Sequence, residues 1–262
     1  MSNNLEHKVY CWWTGDNELS PNRKRSLAAM KKIHGDALVF INRDNLENYI
    51  VSGYPLHEGY KYLSEIQKGD YLKCYFMHHY GGGYSDIKQF RPAMSWKPYF
   101  DKLNQNNDLY AMGYPEKEPG HVAYLEDCRL DPKNSVHCVH NRLTSNWTCT
   151  SDGESWSSEH IRKNWQKLIG CGSVICKKGT PFTLDWWNGV NEKMDGYLEE
   201  LKKYPSQWER DCYNHLNPKT GEKSKYPIPW AVLHGHVFHP LVLKYHKHID
   251  QGLPYPVMAG YL

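Results

Sequence analysis

Apolar side chains recur at helical spacing between Asp70 and Tyr80, a segment without proline or glycine. The positions at i, i+3, i+4 and i+7 of one helical face are Leu72, Tyr75, Phe76 and His79. This pattern predicts a buried helix. Asp70 near its start suits the positive end of the helix dipole, and Gly81 follows where a left-handed residue commonly ends a helix.

Three glycines and a short strand-like run follow the predicted helix. Gly81-Gly82-Gly83 permits an abrupt reversal, after which Tyr84 to Ile87 would carry Asp86 and Lys88 to the far end of a strand. The residues of the helix's second face are Asp70, Lys73, Cys74 and Met77. That face could point at the same place as Asp86. The alternative is that its two charged residues form a solvated surface pair and that the glycines only end the helix.

The beginning of the chain alternates strand and helix patterns. Lys8 to Trp13 is typical of a strand, Ser20 and Pro21 mark the start of a helix, and Ala37 to Ile41 is a second strand. Strand, helix, strand predicts a parallel pair with a right-handed crossover.

Ligands of such sheets lie beyond the carboxyl ends of the strands, which makes the end of the first strand a candidate contact. The residues there are Trp12, Trp13 and Thr14. For either tryptophan, the alternative is a place in the hydrophobic core.

The remaining pattern alternates helices, strands and loops. Helices are predicted at Trp96 to Leu103, Ser157 to Leu168, Pro181 to Lys203 and Gln207 to His215, with strands at Asp108 to Met112 and Gly172 to Lys177. Pro115 to Trp156 is the least regular segment. A segment of this kind is either a lid or acceptor-binding insert or an ordered surface excursion.

Two closely spaced histidines form a second chemical cluster. In the run from Trp230 to Pro240, strand periodicity would put His234 and His236 on one face. Two imidazoles at this spacing can share a metal ion or bind a phosphate. The alternative is one structural and one solvated histidine, and the 15 histidines of the chain weaken any single assignment.

Composition bounds the class of protein. The 262 residues fit a single domain, and a net charge of +3 is too small to argue for nucleic acid as a partner. No apolar stretch is long enough for a transmembrane segment and no leader pattern is present, so we expect a cytoplasmic protein. The eight cysteines contain no Cys-x-x-Cys pair and are expected to be mostly reduced apolar fillers.

The central run resembles the signature of the glycosyltransferases of family 32 and of the related capsular-polysaccharide-synthesis sugar transferases. In that signature a helix with an Asp-x-x-Arg sequence leads through Tyr-Gly-Gly into a strand that ends in Asp-x-Asp. Asp70 matches the helix acid, Lys73 replaces the arginine, and Tyr80-Gly81-Gly82 matches the turn. Asp86 matches the first acid of Asp-x-Asp, whereas Lys88 stands where the second acid should be.

The resemblance implies a single Rossmann-like A-type glycosyltransferase domain over residues 1–262, with a mostly parallel central sheet flanked by helices. Residues 8–114 would form the nucleotide-sugar-binding half, and 115–262 the acceptor side with the C-terminal elements. The implied partners are a nucleotide-sugar donor and a glycan acceptor; the oligomeric state stays open. The implied donor-binding residues are Trp12, Trp13, Thr14, Asp70, Lys73, Gly82, Gly83 and Asp86.

In the resembling family the Asp-x-Asp pair binds a divalent cation, Mn or Mg, that holds the donor diphosphate. Replacing an acid by Lys88 changes the local charge by two units and should weaken such a site. Either Asp86 holds the ion with ligands from elsewhere, such as His234 or His236, or Lys88 itself supplies part of the positive charge.

The implied function is transfer of a sugar from a nucleotide-diphosphate donor to a glycan. Asp86 and Lys88 are the first catalytic candidates, and Asp185 and Asp211 are candidates for a base beside the acceptor hydroxyl. The resembling family retains the anomeric configuration, but the change at Lys88 leaves the stereochemistry open. The alternative function is a non-catalytic nucleotide-sugar or carbohydrate binding protein with a degenerate metal motif.

Overall fold

The first strand, helix and strand form as predicted. β1 (Val9–Trp13), α1 (Pro21–His34) and β2 (Leu38–Asn42) follow one another, and β1 pairs with β2 in parallel. The Ser20 hydroxyl accepts a hydrogen bond from the Arg23 N–H, and a proline at the first helical position completes the helix start. The structure is a computed structural model that describes residues 4–90, 92–122, 138–141, 146–149 and 155–257.

A six-stranded mixed sheet forms the centre of the fold, in the order β2-β1-β3-β8-β4-β9. Its further strands are β3 (Gly82–Ser85), β4 (Ala111–Pro115), β8 (Ile169–Cys176) and β9 (Ile249–Asp250). The β1–β2, β1–β3 and β4–β9 pairs are parallel, whereas β8 is antiparallel to both β3 and β4. The predicted α/β fold with a mostly parallel sheet flanked by helices is confirmed.

Helices cover both faces of this sheet, as the alternation along β1 shows. Tyr10 and Trp12 join the largest core cluster, together with α2 (Glu65–His79), α5 (Pro181–Lys203) and α6 (Gly235–Lys244). Val9 and Cys11 point the other way, into two smaller clusters with α3 (Lys97–Gln105) and α1. Successive strand residues face opposite sides, so one short strand contributes to both layers.

The central helix α2 is longer than its pattern predicted. It begins at Glu65, after Ser64 at the N-cap, so Asp70 lies in its interior and not in the first turn. The dipole argument for Asp70 was therefore wrong. The predicted glycine turn is confirmed, because Gly81 and Gly82 have φ values of 67° and 93°, which L side chains rarely adopt.

Three later predictions differ from the structure. The helix predicted at Ser157 to Leu168 is shorter, with α4 at Ser158–Lys163 followed by a 3-10 turn. The segment Gln207 to His215 forms turns, not a helix. Much of the irregular segment Pro115 to Trp156 lies outside the described residues, but three short strands within it or at its end form a separate antiparallel sheet. These are β5 (Cys138–Asn141), β6 (Asn146–Cys149) and β7 (Ser155–Ser157).

The described cysteines agree with the expectation of buried thiols. Five cysteines have described side chains, and all five are free and buried: Cys11, Cys74, Cys171, Cys176 and Cys212. Within the described ranges, no helix has the length and apolar character needed to cross a bilayer.

Candidate active site

Two acids and two lysines meet where β3 ends. Lys88 Nζ lies 2.9 Å from Asp86 Oδ2, and Lys73 Nζ lies 2.9 Å from Asp70 Oδ1 and 4.0 Å from Asp86 Oδ1. Asp86 comes from the chain just after β3, whereas Asp70 and Lys73 come from α2, three residues apart on the same side of the helix. The predicted meeting of this helix face with Asp86 is confirmed. We call Asp70, Lys73, Asp86 and Lys88 the Asp-Lys cluster.

The Asp70 and Lys73 side chains of the Asp-Lys cluster are buried, and those of Asp86 and Lys88 are partly exposed. The side chains of Lys73 and Asp70 are 7% and 8% exposed, and those of Lys88 and Asp86 are 13% and 24% exposed. Exposed ion pairs contribute little to stability, whereas a charge removed from water loses its hydration and needs a well-placed partner of opposite charge. The alternative of a solvated surface pair is therefore wrong for Asp70 and Lys73.

Attraction between opposite charges keeps Asp86 and Lys73 ionised. Burial favours the neutral form of Asp86, but Lys88 and Lys73 outweigh burial and hold the pKa of this carboxyl well below its usual range. Burial likewise favours neutral Lys73, but Asp70 and Asp86 outweigh it and raise the pKa of the ammonium above its usual value. Asp86 is therefore a carboxylate and Lys73 an ammonium at neutral pH.

Aromatic side chains hold Asp86 in position. The Tyr84 hydroxyl donates a hydrogen bond to Asp86 Oδ1, and the Tyr84 ring stacks on Trp12 with centroids 4.3 Å apart. Trp12 is 8% exposed, so it takes the core position considered as the alternative. Trp13 donates from Nε1 to the Asn17 carbonyl, and the Thr14 hydroxyl donates to Glu65.

The predicted contacts Gly82 and Gly83 belong to the strand itself. A Cβ on Gly82 would lie 2.9 Å from the Lys8 carbonyl oxygen, and one on Gly83 would lie 3.1 Å from the Trp96 ring. Both glycines are therefore explained by close packing of the sheet against its neighbours. Their backbone delivers Asp86 to the strand end.

His234 lies beside the Asp-Lys cluster, but not on a strand. It is the residue before α6, with Nδ1 3.4 Å from the Cys171 sulfur and Nε2 3.9 Å from Asp70 Oδ1. Burial lowers the pKa of His234 to about 4; Asp70 raises this pKa and Lys73 lowers it, each by less than burial does. His236 lies within α6, whereas His234 precedes the helix and has non-helical backbone angles (φ −126°, ψ −106°). The expected shared strand face was wrong, because this run is helical.

Asp185 and Asp211 have structural partners away from the cluster. Lys244 Nζ lies 3.0 Å from Asp185 Oδ2, and the Tyr245 hydroxyl donates to the same oxygen at 2.6 Å. The Asp211 carboxylate is buried and accepts from the backbone N–H groups of Gln207 and Cys212 at 2.8 and 2.9 Å. Both acids tie chain segments together, which explains their presence without a catalytic role.

A divalent cation does not fit this arrangement of ligands. Each Asp86 oxygen already has a hydrogen-bond donor, Tyr84 on Oδ1 and Lys88 on Oδ2, and Asp70 Oδ1 has Lys73. Two ammonium groups at the carboxylates would also repel a dication. In the part of the chain that the structure describes, no group of three or more His, Cys, Asp or Glu residues is placed to hold a metal ion.

Three residues near the cluster were missed from the sequence. Tyr114 and Glu116 lie at and after the end of β4, and Cys171 lies on β8. A Cβ on Gly172 would be 3.1 Å from the Tyr114 hydroxyl oxygen and 3.2 Å from Asp86 Oδ2, so these two polar groups are close neighbours. The rule that drew attention to Asp86, an acid directly after a strand, applies equally to Glu116.

A cavity of about 510 Å³ lies at the opposite end of the same strands. Its wall includes Lys8 before β1, Gly82 at the start of β3, Lys177 after β8 and Thr180 at the N-cap of α5. Asp86 follows the other end of β3. The open space and the Asp-Lys cluster are therefore separate features, and the chemical groups, not the cavity, define the candidate active site.

Comparison of the chain with protein-family models, with curated proteins and with solved structures finds no match.

Proposed function

We propose that the chain is a glycosyltransferase that moves a sugar from a nucleotide-diphosphate donor to a glycan acceptor. The observation that supports this most directly is the Asp-Lys cluster at the carboxyl end of β3. Ligands of open α/β sheets bind at this edge. The motif resemblance described above, from Asp70 to Lys88, supports the choice of a sugar diphosphate over other ligands.

The chemical demand of this reaction is stabilisation of the leaving group. When the bond between the anomeric carbon and the phosphate oxygen breaks, the electron pair remains on the diphosphate, which gains negative charge. Preorganised cations in a water-poor site are effective at stabilising such charge. Lys88 and Lys73 are suited to this role, because they are charged and are held in position by Asp86 and Asp70.

In this proposal the lysines take the place of the divalent cation. The two carboxylates orient them, and Asp86, the more exposed of the two, would also accept hydrogen bonds from donor hydroxyl groups. Trp12 supports the site through Tyr84 and does not stack on the donor base. The reaction is therefore expected to proceed without added metal.

The test is donor turnover by purified protein, with a panel of uridine, guanosine and deoxythymidine diphosphate sugars, in EDTA and in Mn²⁺. We expect release of nucleoside diphosphate in EDTA, and a loss of about 10²- to 10³-fold in Lys88→Met, comparable to removal of one charge-stabilising donor. Lys24→Met is the matched control, because Lys24 forms an ion pair of similar length, 2.8 Å, with Glu18 on the surface.

The outcomes separate the alternatives. Undiminished turnover in Lys88→Met would refute the role of the lysine, and an absolute need for Mn²⁺ would refute the metal-free reaction. Lys88→Asp restores an Asp-x-Asp sequence and is expected to make turnover depend on Mn²⁺. Donor binding without turnover in every condition would instead indicate a non-catalytic nucleotide-sugar binding protein.

A further inference from the structure

Glu116 is a buried carboxylate at the same edge of the sheet as the Asp-Lys cluster. It follows β4 directly, its N–H donates to the Leu168 carbonyl at 3.1 Å, and its side chain is 6% exposed. Glu116 Oε1 lies 3.4 Å from His239 Nε2 of α6, and Oε2 lies 3.6 Å from His121 Nδ1. An acid so deeply buried needs an explanation, because transfer of a carboxylate out of water is costly.

Electrostatic effects connect Glu116 with the cluster through two side chains. Burial raises the pKa of the Tyr114 phenol, and Cys171 and the negative charges of Glu116 and Asp86 raise it further. Burial also raises the pKa of the Cys171 thiol, with Lys73 lowering it and Glu116 raising it. Tyr114 and Cys171 are therefore within the electrostatic range of both Glu116 and Asp86.

The partners of Glu116 differ in kind from those of the other two acids. Asp70 and Asp86 are paired with lysines, whereas Glu116 lies within 4 Å of the histidines His121 and His239. The lysines hold the pKa of Asp86 well below its usual range against the effect of burial, which makes Asp86 a poor proton acceptor.

We propose that Glu116 is the base that takes the proton of the acceptor hydroxyl. This inference rests on the proposed function. The acceptor O–H bond breaks and its proton moves to the Glu116 carboxylate, while the acceptor oxygen forms a bond to the anomeric carbon of the donor sugar. The bond from that carbon to the phosphate oxygen breaks, and its electron pair leaves on the diphosphate near Lys88 and Lys73.

The proposal has a stereochemical consequence. Attack by an activated hydroxyl in a single displacement occurs on the face of the sugar opposite the departing diphosphate, so the product carries the inverted anomeric configuration. This departs from the retaining outcome of the family that the central run resembles. The anomeric configuration of the product is therefore an independent readout of the role of Glu116.

The experiment compares wild type with Glu116→Gln and Glu116→Asp, using the diphosphate sugar that wild type turns over fastest. Glu116→Gln keeps the size of the side chain and removes the base; Glu116→Asp keeps the base. Glu118→Gln is the matched control, because Glu118 is two residues away and 63% exposed. Donor binding, measured by calorimetry, and melting temperature are recorded for each variant alongside turnover.

We expect turnover in Glu116→Gln to fall about 10²- to 10⁴-fold, the usual effect of removing a positioned base, with donor affinity and folding unchanged. Glu116→Asp should recover part of the loss, and Glu118→Gln should match wild type. The product should be inverted. Retention of configuration, or wild-type turnover in Glu116→Gln, overturns the role of Glu116 while leaving the glycosyltransferase proposal standing. Failure of wild type to bind any of the donors overturns both.

Discussion

Replacing Lys73 by methionine tests whether the Asp-Lys cluster is a buried electrostatic unit. The substitution keeps the length of the side chain and removes its charge, which leaves Asp70 without its 2.9 Å partner and Asp86 without its 4.0 Å partner. At an effective dielectric constant of about 20 these two attractions are about 6 and about 4 kcal/mol. Part of this is offset by the cost of burying the ammonium, so we expect a net loss of about 3–5 kcal/mol.

Such a loss is measurable by denaturant unfolding followed by tryptophan fluorescence. In a thermal scan it corresponds to a decrease in Tm of about 6–20 °C for a chain of this size. The double variant Asp70→Asn with Lys73→Met removes the unpaired charge on Asp70 and should recover much of the loss. Lys24→Met, which breaks an exposed pair of similar length, should change stability by about 1 kcal/mol or less.

The pH dependence follows from the raised pKa of Lys73. A group whose pKa is higher in the folded state stabilises the protein fully below its unfolded pKa and loses this effect only as pH rises through the folded pKa. The difference between wild type and Lys73→Met should therefore stay constant from about pH 6 to about pH 9. The reasoning is refuted if Lys73→Met costs no more than Lys24→Met, or if the double variant is as unstable as the two single losses added together.

Two further substitutions separate structural from catalytic residues. Gly170→Ala would place a methyl group against the Tyr114 ring. We expect overpacking to lower the free energy of unfolding by about 1–3 kcal/mol, and turnover to fall because Tyr114 must move. An unchanged melting temperature would contradict this. Asp211→Asn replaces one of two carboxylate oxygens, each of which accepts a backbone N–H, by an amide NH2 that cannot accept. We therefore expect a loss of stability of about 1–3 kcal/mol with kcat preserved in the remaining folded protein. A selective loss of kcat would restore Asp211 as a catalytic candidate.

Local chemical signals in the sequence predicted the central part of the site. Three local features place Asp70, Lys73 and Asp86 together. They are the spacing of Asp70 and Lys73 on one helix, the glycines that reverse the chain, and the position of Asp86 after the next strand. These features depend on residues close in sequence, and helix and strand geometry then determines where the side chains point. The start of α2 was misplaced because the pattern was read only from Asp70 onward, although Ser64 precedes it at the N-cap.

The long-range part of the site could not be predicted in this way. His234 lies beside the cluster because α6 packs on the sheet, and Glu116 lies at the same edge of the sheet because β4 pairs with β8. Neither packing contact leaves a periodic pattern in the sequence. The run around His236 alternates polar and apolar residues like a strand, but it is almost entirely buried, and periodicity cannot distinguish a buried helix from a strand. Asp211 looked like an exposed helical acid because its role in closing a turn depends on Ser224, which is distant in sequence.

The position of β8 between β3 and β4 has a consequence for synthesis of the protein. Gly82 of β3 and Ala111 of β4 both pair with Cys176, so neither strand can complete its hydrogen bonding until the ribosome has released the β8 segment. Until then the nascent chain carries bare strand edges, which attract other polypeptides. Contacts that span this much of the chain also form slowly. We therefore expect the first half, released alone, to aggregate or to require a chaperone, even though it holds all four members of the Asp-Lys cluster.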